Sequence, residues 1–100
     1  MKFEESDSWI LLATHDAQGP NGARLSDILL IADGINHAVP TGKELNDAFR
    51  KLKLAGLIEK KGKSFWTTEE ATKLICEARL TSKTILEVWK ELHRLMAEEK

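Results

Sequence analysis

The stretch LKLAGLIEKKGKSFWTTEEA, residues 52–71, decides the fold. Gly56 follows the last leucines of an apolar helix, at the position where a left-handed backbone costs glycine little. The β-forming pairs at 57–58 and 65–66 then flank a lysine-rich turn around Gly62. Such pairs on either side of a Lys-Gly turn predict a short β-hairpin. The stretch therefore predicts a helix end, a hairpin and a second helix start in quick succession.

Two capping boxes flank this hairpin and set the helix starts. The first box consists of Thr41 and Glu44. The threonine hydroxyl is expected to accept a hydrogen bond from the Glu44 amide, and the glutamate carboxylate one from the Thr41 amide. A third helix is therefore predicted over 42–55. Thr67 and Glu70 repeat the spacing, which predicts a fourth helix directly after the hairpin.

Two more helices are predicted on the N-terminal side. Apolar residues at helical spacing follow Asp7 and Ser8, either of which can cap a first helix that runs to about His15. A loop with two glycines and a proline follows. Ser26 is the expected cap of a second helix, which ends before Pro40 and is apolar enough to be buried on most sides. The expected core is Ile10, Leu12, Ile28, Leu29, Ile31, Leu45, Phe49, Leu52, Leu57, Phe65 or Trp66, and Leu74.

A fifth helix is predicted over 81–98, with Thr81 or Ser82 as its cap. Its broad apolar side exceeds what one small body buries from a terminal helix, so we expect a homodimer through this helix. The alternative is that the helix folds back on its own domain. The predicted dimer interface consists of Ile85, Val88, Trp89, Leu92, Leu95 and Met96.

Composition fits one domain over residues 1–100, made of a body at 8–78 and the C-terminal helix. The chain has 100 residues, of which 42% are apolar and 31% charged, enough for one modest core. A single cysteine allows no internal disulfide, and the N-terminus lacks the features of a signal peptide. Apolar runs are too short to span a membrane. We therefore expect a cytoplasmic protein without membrane contact.

Charge is distributed unevenly along the chain. Residues 43–63 hold seven basic and three acidic residues, a net charge of +4, whereas the remainder carries −5 and the whole chain −1. A basic segment on a mildly acidic body is a possible electrostatic footprint for nucleic acid. The alternative is an ordinary solvated surface.

The segment 44–71 resembles the recognition helix and wing of winged helix-turn-helix regulators of the MarR and PadR kind. In those families a leucine-rich helix ends in a Gly-Leu-Ile/Val step, a basic hairpin follows, and a Leu-Thr or Thr-Thr pair opens the next helix. The counterparts here are Leu52, Gly56, Leu57, Ile58, Lys60 to Lys63, Thr67 and Thr68. The resemblance covers residues 8–78. It implies a mainly α fold with a small β-hairpin, a winged helix-turn-helix carrying an additional C-terminal dimerisation helix.

The resemblance also implies a DNA-binding transcriptional regulator whose partner is double-stranded DNA. The helix at 42–55 would enter the major groove and the wing at 59–64 would touch the backbone. Asp47 and Leu54 fit this picture poorly, because one would repel phosphates and the other is apolar; we expect the hairpin to cover Leu54. A protein–protein interaction module without DNA binding is the alternative. The predicted DNA-binding residues are Lys43, Asn46, Arg50, Lys51, Lys60, Lys61 and Lys63.

Nothing in the sequence indicates an enzyme. The three histidines share no metal-ligand spacing, and neither a phosphate loop nor a Ser/His/Asp signature is present. We therefore expect no catalytic residue, metal or cofactor. His15 and His37 are expected to cap helix ends, and Cys76 to be a buried thiol. Trp9 and Trp89 either line a pocket for an unidentified effector or belong to the core or an interface.

Overall fold

The computed structural model describes residues 2–98, which form five helices and a small antiparallel sheet. This confirms the predicted mainly helical fold with a hairpin. The elements in chain order are α1 (Glu5–Ala17), β1 (Ala23–Arg24), α2 (Leu25–Asn36), α3 (Gly42–Leu54), β2 (Ile58–Lys61), β3 (Ser64–Thr67), α4 (Glu69–Leu80) and α5 (Ile85–Glu98). Strand β3 lies between β1 and β2. Among the described helices, none has the length and apolar character needed to cross a membrane.

Helix α3 and the hairpin follow the sequence prediction closely. The Thr41 hydroxyl accepts the Glu44 amide at 3.1 Å, and the Glu44 carboxylate accepts the Thr41 amide at 2.9 Å. The helix ends at the Ala55 cap, and Gly56 takes the left-handed conformation with φ +75°. Gly62 turns the hairpin with φ +61°. Both glycines have a backbone conformation that residues with a side chain rarely adopt, and this conformation allows short turns.

Helices α4 and α5 begin later than predicted. Thr68, not Thr67, caps α4, and its hydroxyl accepts the Ala71 amide at 3.3 Å. Thr67 instead belongs to β3. Helix α5 begins at Ile85, where a capping box of Thr84 and Glu87 replaces the predicted Thr81 or Ser82 cap. In both cases a neighbouring threonine had the better geometry.

Helix α1 is the central element of the core. It begins after Glu4, and the predicted caps Asp7 and Ser8 lie buried inside it. All residues from 7 to 14 are buried, and the helix packs against α2, α3, α5 and the sheet. The Asp7 carboxylate accepts the Glu4 amide at 2.6 Å, so it completes the cap from inside the first turn.

Helix α2 is less buried than predicted and begins one residue before its expected cap. Arg24 takes the cap position, and Ser26 is exposed within the helix. Only its face with Ile28 and Ile35 is buried, whereas Leu30 is 72% exposed. The preceding strand β1 was not predicted, because two residues are too few to show a period of two. Of the expected core, Ile10, Leu12, Ile28, Leu52, Leu57 and Leu74 are buried, and Leu29, Ile31, Leu45, Phe49, Phe65 and Trp66 are partly buried.

Helix α5 folds back on its own domain, which was the alternative to a dimerisation helix. Among the predicted interface residues, Val88, Leu92, Leu95 and Met96 are buried, Trp89 is partly buried and Ile85 is exposed. The helix packs against α4, α1 and α2. The interpretation that one body is too small to bury this surface is therefore wrong. The homodimer itself stays a prediction.

Candidate nucleic-acid interface

An open groove of about 1030 Å³ lies between α3 and the hairpin. We call it the α3–hairpin groove. Its apolar floor consists of Leu25, Leu45, Phe49, Leu54, Ile58 and Phe65, and its polar rim of Asn46, Arg50, Lys53 and Lys60, with Gly42 at one end. An extension of about 370 Å³ shares Leu25, Lys60 and Phe65 with the groove and adds Arg24, Ser26 and Lys63.

The groove arises from the periodicities of the two elements that form it. On α3, Ala48 and Leu52 are buried, while Leu45 and Phe49 lie beside them and are covered on one side only. Phe65 of β3 stacks on Phe49 with ring centroids 4.4 Å apart. This stack holds the hairpin against α3, and both rings are partly buried and line the groove.

Every charged residue lining the groove and its extension is a cation. These residues are Arg24, Arg50, Lys53, Lys60 and Lys63. The Lys60 ammonium also lies 5.6 Å from the centroid of the Phe65 ring, a distance suitable for a cation–π contact. The whole chain carries a net charge of −1. The clustered cations therefore give the surface formed by the groove and its extension, which we call the groove face, a local positive potential.

Four of the seven predicted DNA-binding residues meet at this surface. Asn46, Arg50 and Lys60 line the groove, and Lys63 lines its extension. Lys43 and Lys61 are exposed but line neither.

Two cations of the groove face were missed by sequence reasoning. Lys53 lies one turn beyond Phe49 on α3, so its place beside the groove was readable from helical spacing. Arg24 could not be placed in the same way. It reaches the extension through β1, whose pairing with β3 sets Arg24 opposite Ser64.

Lys51 does not belong to the groove face, which corrects the prediction. Its side chain is only 14% exposed, and its ammonium lies 2.5 Å from the carboxylate of Asp7, which is 1% exposed. Lys51 follows Ala48 by three residues and precedes Leu52, so it lies on the inward side of α3. It therefore binds α3 to α1 rather than any external anion.

Asp47 partly neutralises the first half of the α3 surface. Its carboxylate accepts a hydrogen bond from Lys43 at 3.0 Å and lies 3.8 Å from Arg50. The Lys43 hydrogen bond and charge, with smaller contributions from Arg50 and Lys51, lower the pKa of Asp47. On the rim of the groove itself, Arg50 is thus partly compensated, whereas Lys53 and Lys60 form none of the ion pairs found among residues 2–98.

Leu54 lies open at the end of α3. We expected the hairpin to cover it, but the side chain is 70% exposed. Leu25, on the floor of the groove, is exposed as well. The groove therefore combines a solvent-accessible apolar floor with a rim of cations.

The remaining candidate residues lie away from the groove. Cys76 is exposed, so the expected buried thiol is wrong. His15 at the end of α1 contacts the Thr67 hydroxyl at 3.3 Å, and burial lowers its pKa, an effect that Asp16 opposes and Arg79 reinforces. His37 does cap α2, in a left-handed conformation, through its own backbone amide.

The two tryptophans pack together, with Trp9 in the buried core and Trp89 partly buried against it. Trp9 is buried, and its ring lies 5.9 Å from that of Trp89. The indole N–H of Trp9 donates to the Ala32 carbonyl at 2.9 Å. The indole N–H of Trp89 lies 2.9 Å from the Glu5 carbonyl and 3.0 Å from the Ser8 hydroxyl.

No group of three His, Cys, Asp or Glu side chains within residues 2–98 is arranged to hold a metal ion. The α3–hairpin groove is the candidate functional site among the described residues. Comparison of the chain with protein-family models, curated proteins and solved structures gives no match.

Proposed function

We propose that the chain is a cytoplasmic winged-helix DNA-binding protein of the transcriptional-regulator type. In this proposal α3 enters the major groove and the β2–β3 hairpin is the wing that contacts the DNA backbone. The observation that carries it is the groove face, where cations are the only charged lining residues. A surface of this charge attracts the phosphodiester backbone of DNA.

The residues divide by chemistry into two roles. Arg50 and Asn46 are exposed on α3, and their side chains are of the types that pair with guanine and adenine edges. Lys53, Lys60 and Lys63 are flexible point charges suited to phosphates. Asp47 holds Arg50 at 3.8 Å in the free protein, so binding exchanges this weak pair for contacts with DNA.

A salt-dependent titration on a random-sequence duplex pool tests the proposal. We expect Lys60→Ala to weaken binding to all sequences and to lower the slope of log K against log salt by about 0.9. Arg50→Ala should instead cost about 1–3 kcal/mol on the selected sequence and relax one base position. Lys90→Ala removes the same charge from α5, outside the groove, and should leave both quantities unchanged.

Failure of the titration has a definite meaning. A wild-type protein that retains no duplex at low salt rejects DNA binding and favours the alternative of a protein-interaction module. Equal effects of Lys60→Ala and Lys90→Ala would also reject it, because binding would then depend on total charge and not on the groove face.

The homodimer is part of the proposal, through a surface that keeps only Ile85 of the predicted interface. Apolar side chains remain exposed where α4 meets α5, at Leu80, Ile85 and Leu86, and Leu80 is 85% exposed. Twofold pairing there implies a palindromic DNA site with half-sites about one helical turn apart. Sedimentation at micromolar concentration should give a dimer that Leu86→Glu converts to a monomer. A monomeric wild-type protein would reject the dimer.

A further inference from the structure

The apolar floor of the α3–hairpin groove is not explained by DNA binding. We infer that the groove docks an acidic amphipathic segment of a partner protein, with apolar side chains on the floor and carboxylates at Lys53 and Lys60. This inference does not depend on the proposed DNA binding. Because the segment and DNA would use the same cations, the segment would act as a competitor of DNA.

The floor calls for apolar side chains as its occupant. Leu54 is open to solvent, and the partly buried Phe49 and Phe65 line the same groove of about 1030 Å³. In the major groove, duplex DNA offers chiefly polar base edges and phosphates, and its main apolar group is the thymine methyl. A helix that places apolar residues at i and i+4 in a groove matches such a floor much better.

The rim selects the charge of that segment. Arg50, Lys53 and Lys60 surround the floor, and no carboxylate lies among the lining residues. A neutral or basic segment would remove these cations from water without giving them a counter-charge, which is costly. An acidic segment supplies the counter-charge, so charge complementarity identifies the occupant.

The shape favours an extended occupant over a compact small molecule. The groove runs along α3 from Gly42 to Leu54. Its extension continues the surface past Phe65 to Arg24 and Lys63. A helical peptide of about 16 residues is roughly 24 Å long. This length is comparable to the 27 Å short axes of the molecule.

Neighbouring lysines on β2 provide a matched pair of variants. Lys60 lines the groove and its extension, whereas Lys61 lines neither, because successive strand residues point to opposite faces of a sheet. Both side chains are exposed, so replacing either should not unfold the protein. A peptide in the groove depends on Lys60 alone, whereas loose attraction to the hairpin depends on both.

The experiment selects peptides of about 16 residues from a displayed random library on the intact protein, then titrates one synthetic enriched peptide. We expect enriched sequences to combine large apolar residues at i and i+4 with Asp and Glu. Leu54→Gln, a neutral change at an exposed position, should weaken the peptide at least about tenfold. Lys60→Ala should weaken it several-fold and Lys61→Ala should leave it unchanged.

Three results would overturn the inference: no enrichment, enriched peptides without acidic residues, or affinity unaffected by Leu54→Gln. If the protein binds a duplex, the enriched peptide should displace it, and a duplex that remains bound beside the peptide overturns the shared surface. Peptide binding in a protein that retains no DNA would reject the proposed function and leave this inference standing.

Discussion

Two aromatic pairs join distant parts of this chain and differ in what covers them. Trp9 and Trp89 close α1 against α5, and both indole N–H groups have acceptors within the protein. Phe49 and Phe65 stack more closely, at 4.4 Å, yet both rings remain half-buried along the groove. The first pair completes the core, whereas the second supports an open surface. An aromatic pair that is partly exposed to solvent leaves apolar surface available for a partner.

The largest expected effect contrasts the two pairs directly. Trp9→Ala should lower the free energy of unfolding by about 3–5 kcal/mol, because it empties a buried site and removes the indole hydrogen bond to the Ala32 carbonyl. Phe49→Ala should cost less, about 1–2 kcal/mol, since that side chain is only partly buried. Urea unfolding measures both. Equal losses would mean that Phe49 is a core residue and that the groove is closed in solution.

A second, smaller contrast concerns adjacent cations on α3. Lys51→Ala should cost about 2–4 kcal/mol, because it leaves the buried Asp7 carboxylate without its counter-charge while the Glu4 amide bond remains. Arg50→Ala, at an exposed position, should change stability by no more than about 0.5 kcal/mol.

The reason for the Lys51 effect is testable with a double variant. Adding Asp7→Asn to Lys51→Ala removes the uncompensated charge and should recover part of the loss. If Asp7→Asn makes the Lys51→Ala protein still less stable by its full single-variant cost, the two residues are not coupled. The inward placement of Lys51 would then be wrong.

Local motifs explain how much of this fold the sequence predicts. The Thr41–Glu44 box and Gly56 fix α3 and the hairpin through interactions within a few residues, and both were placed correctly. Which surface covers α5 depends instead on the direction of the chain after Leu80, and the Thr84–Glu87 capping box there sets where the helix begins but not where it packs. The apolar side of α5 was therefore readable, but its packing against α1 was not.

The candidate site divides in the same way. Helical spacing identified Arg50 and Asn46, because an exposed face follows from the buried one. Lys51 was included wrongly, because its spacing from Ala48 and Leu52 already places it on the inward side of α3. That the buried Asp7 of α1 lies there to pair with it was not readable from the sequence. Arg24 was out of reach because it joins the surface through a two-residue strand. Long-range pairing, and not residue type, decides such positions.

The smallest effect we expect is a pH dependence of stability at His15, where the end of α1 meets the hairpin. His15 at the end of α1 contacts the Thr67 hydroxyl of β3 at 3.3 Å, and burial holds its pKa below the ordinary 6.5. The unfolded chain therefore binds this proton more readily than the folded protein, so stability from neutral His15 is complete above about pH 6.5 and is lost as the pH falls below it.

A thermal-unfolding series from about pH 8 to about pH 5 measures this loss, which His15→Gln should reduce. An unchanged pH profile in His15→Gln would mean that solvent reaches His15 freely. The end of α1 would then belong to the open region of the molecule and not to its closed core.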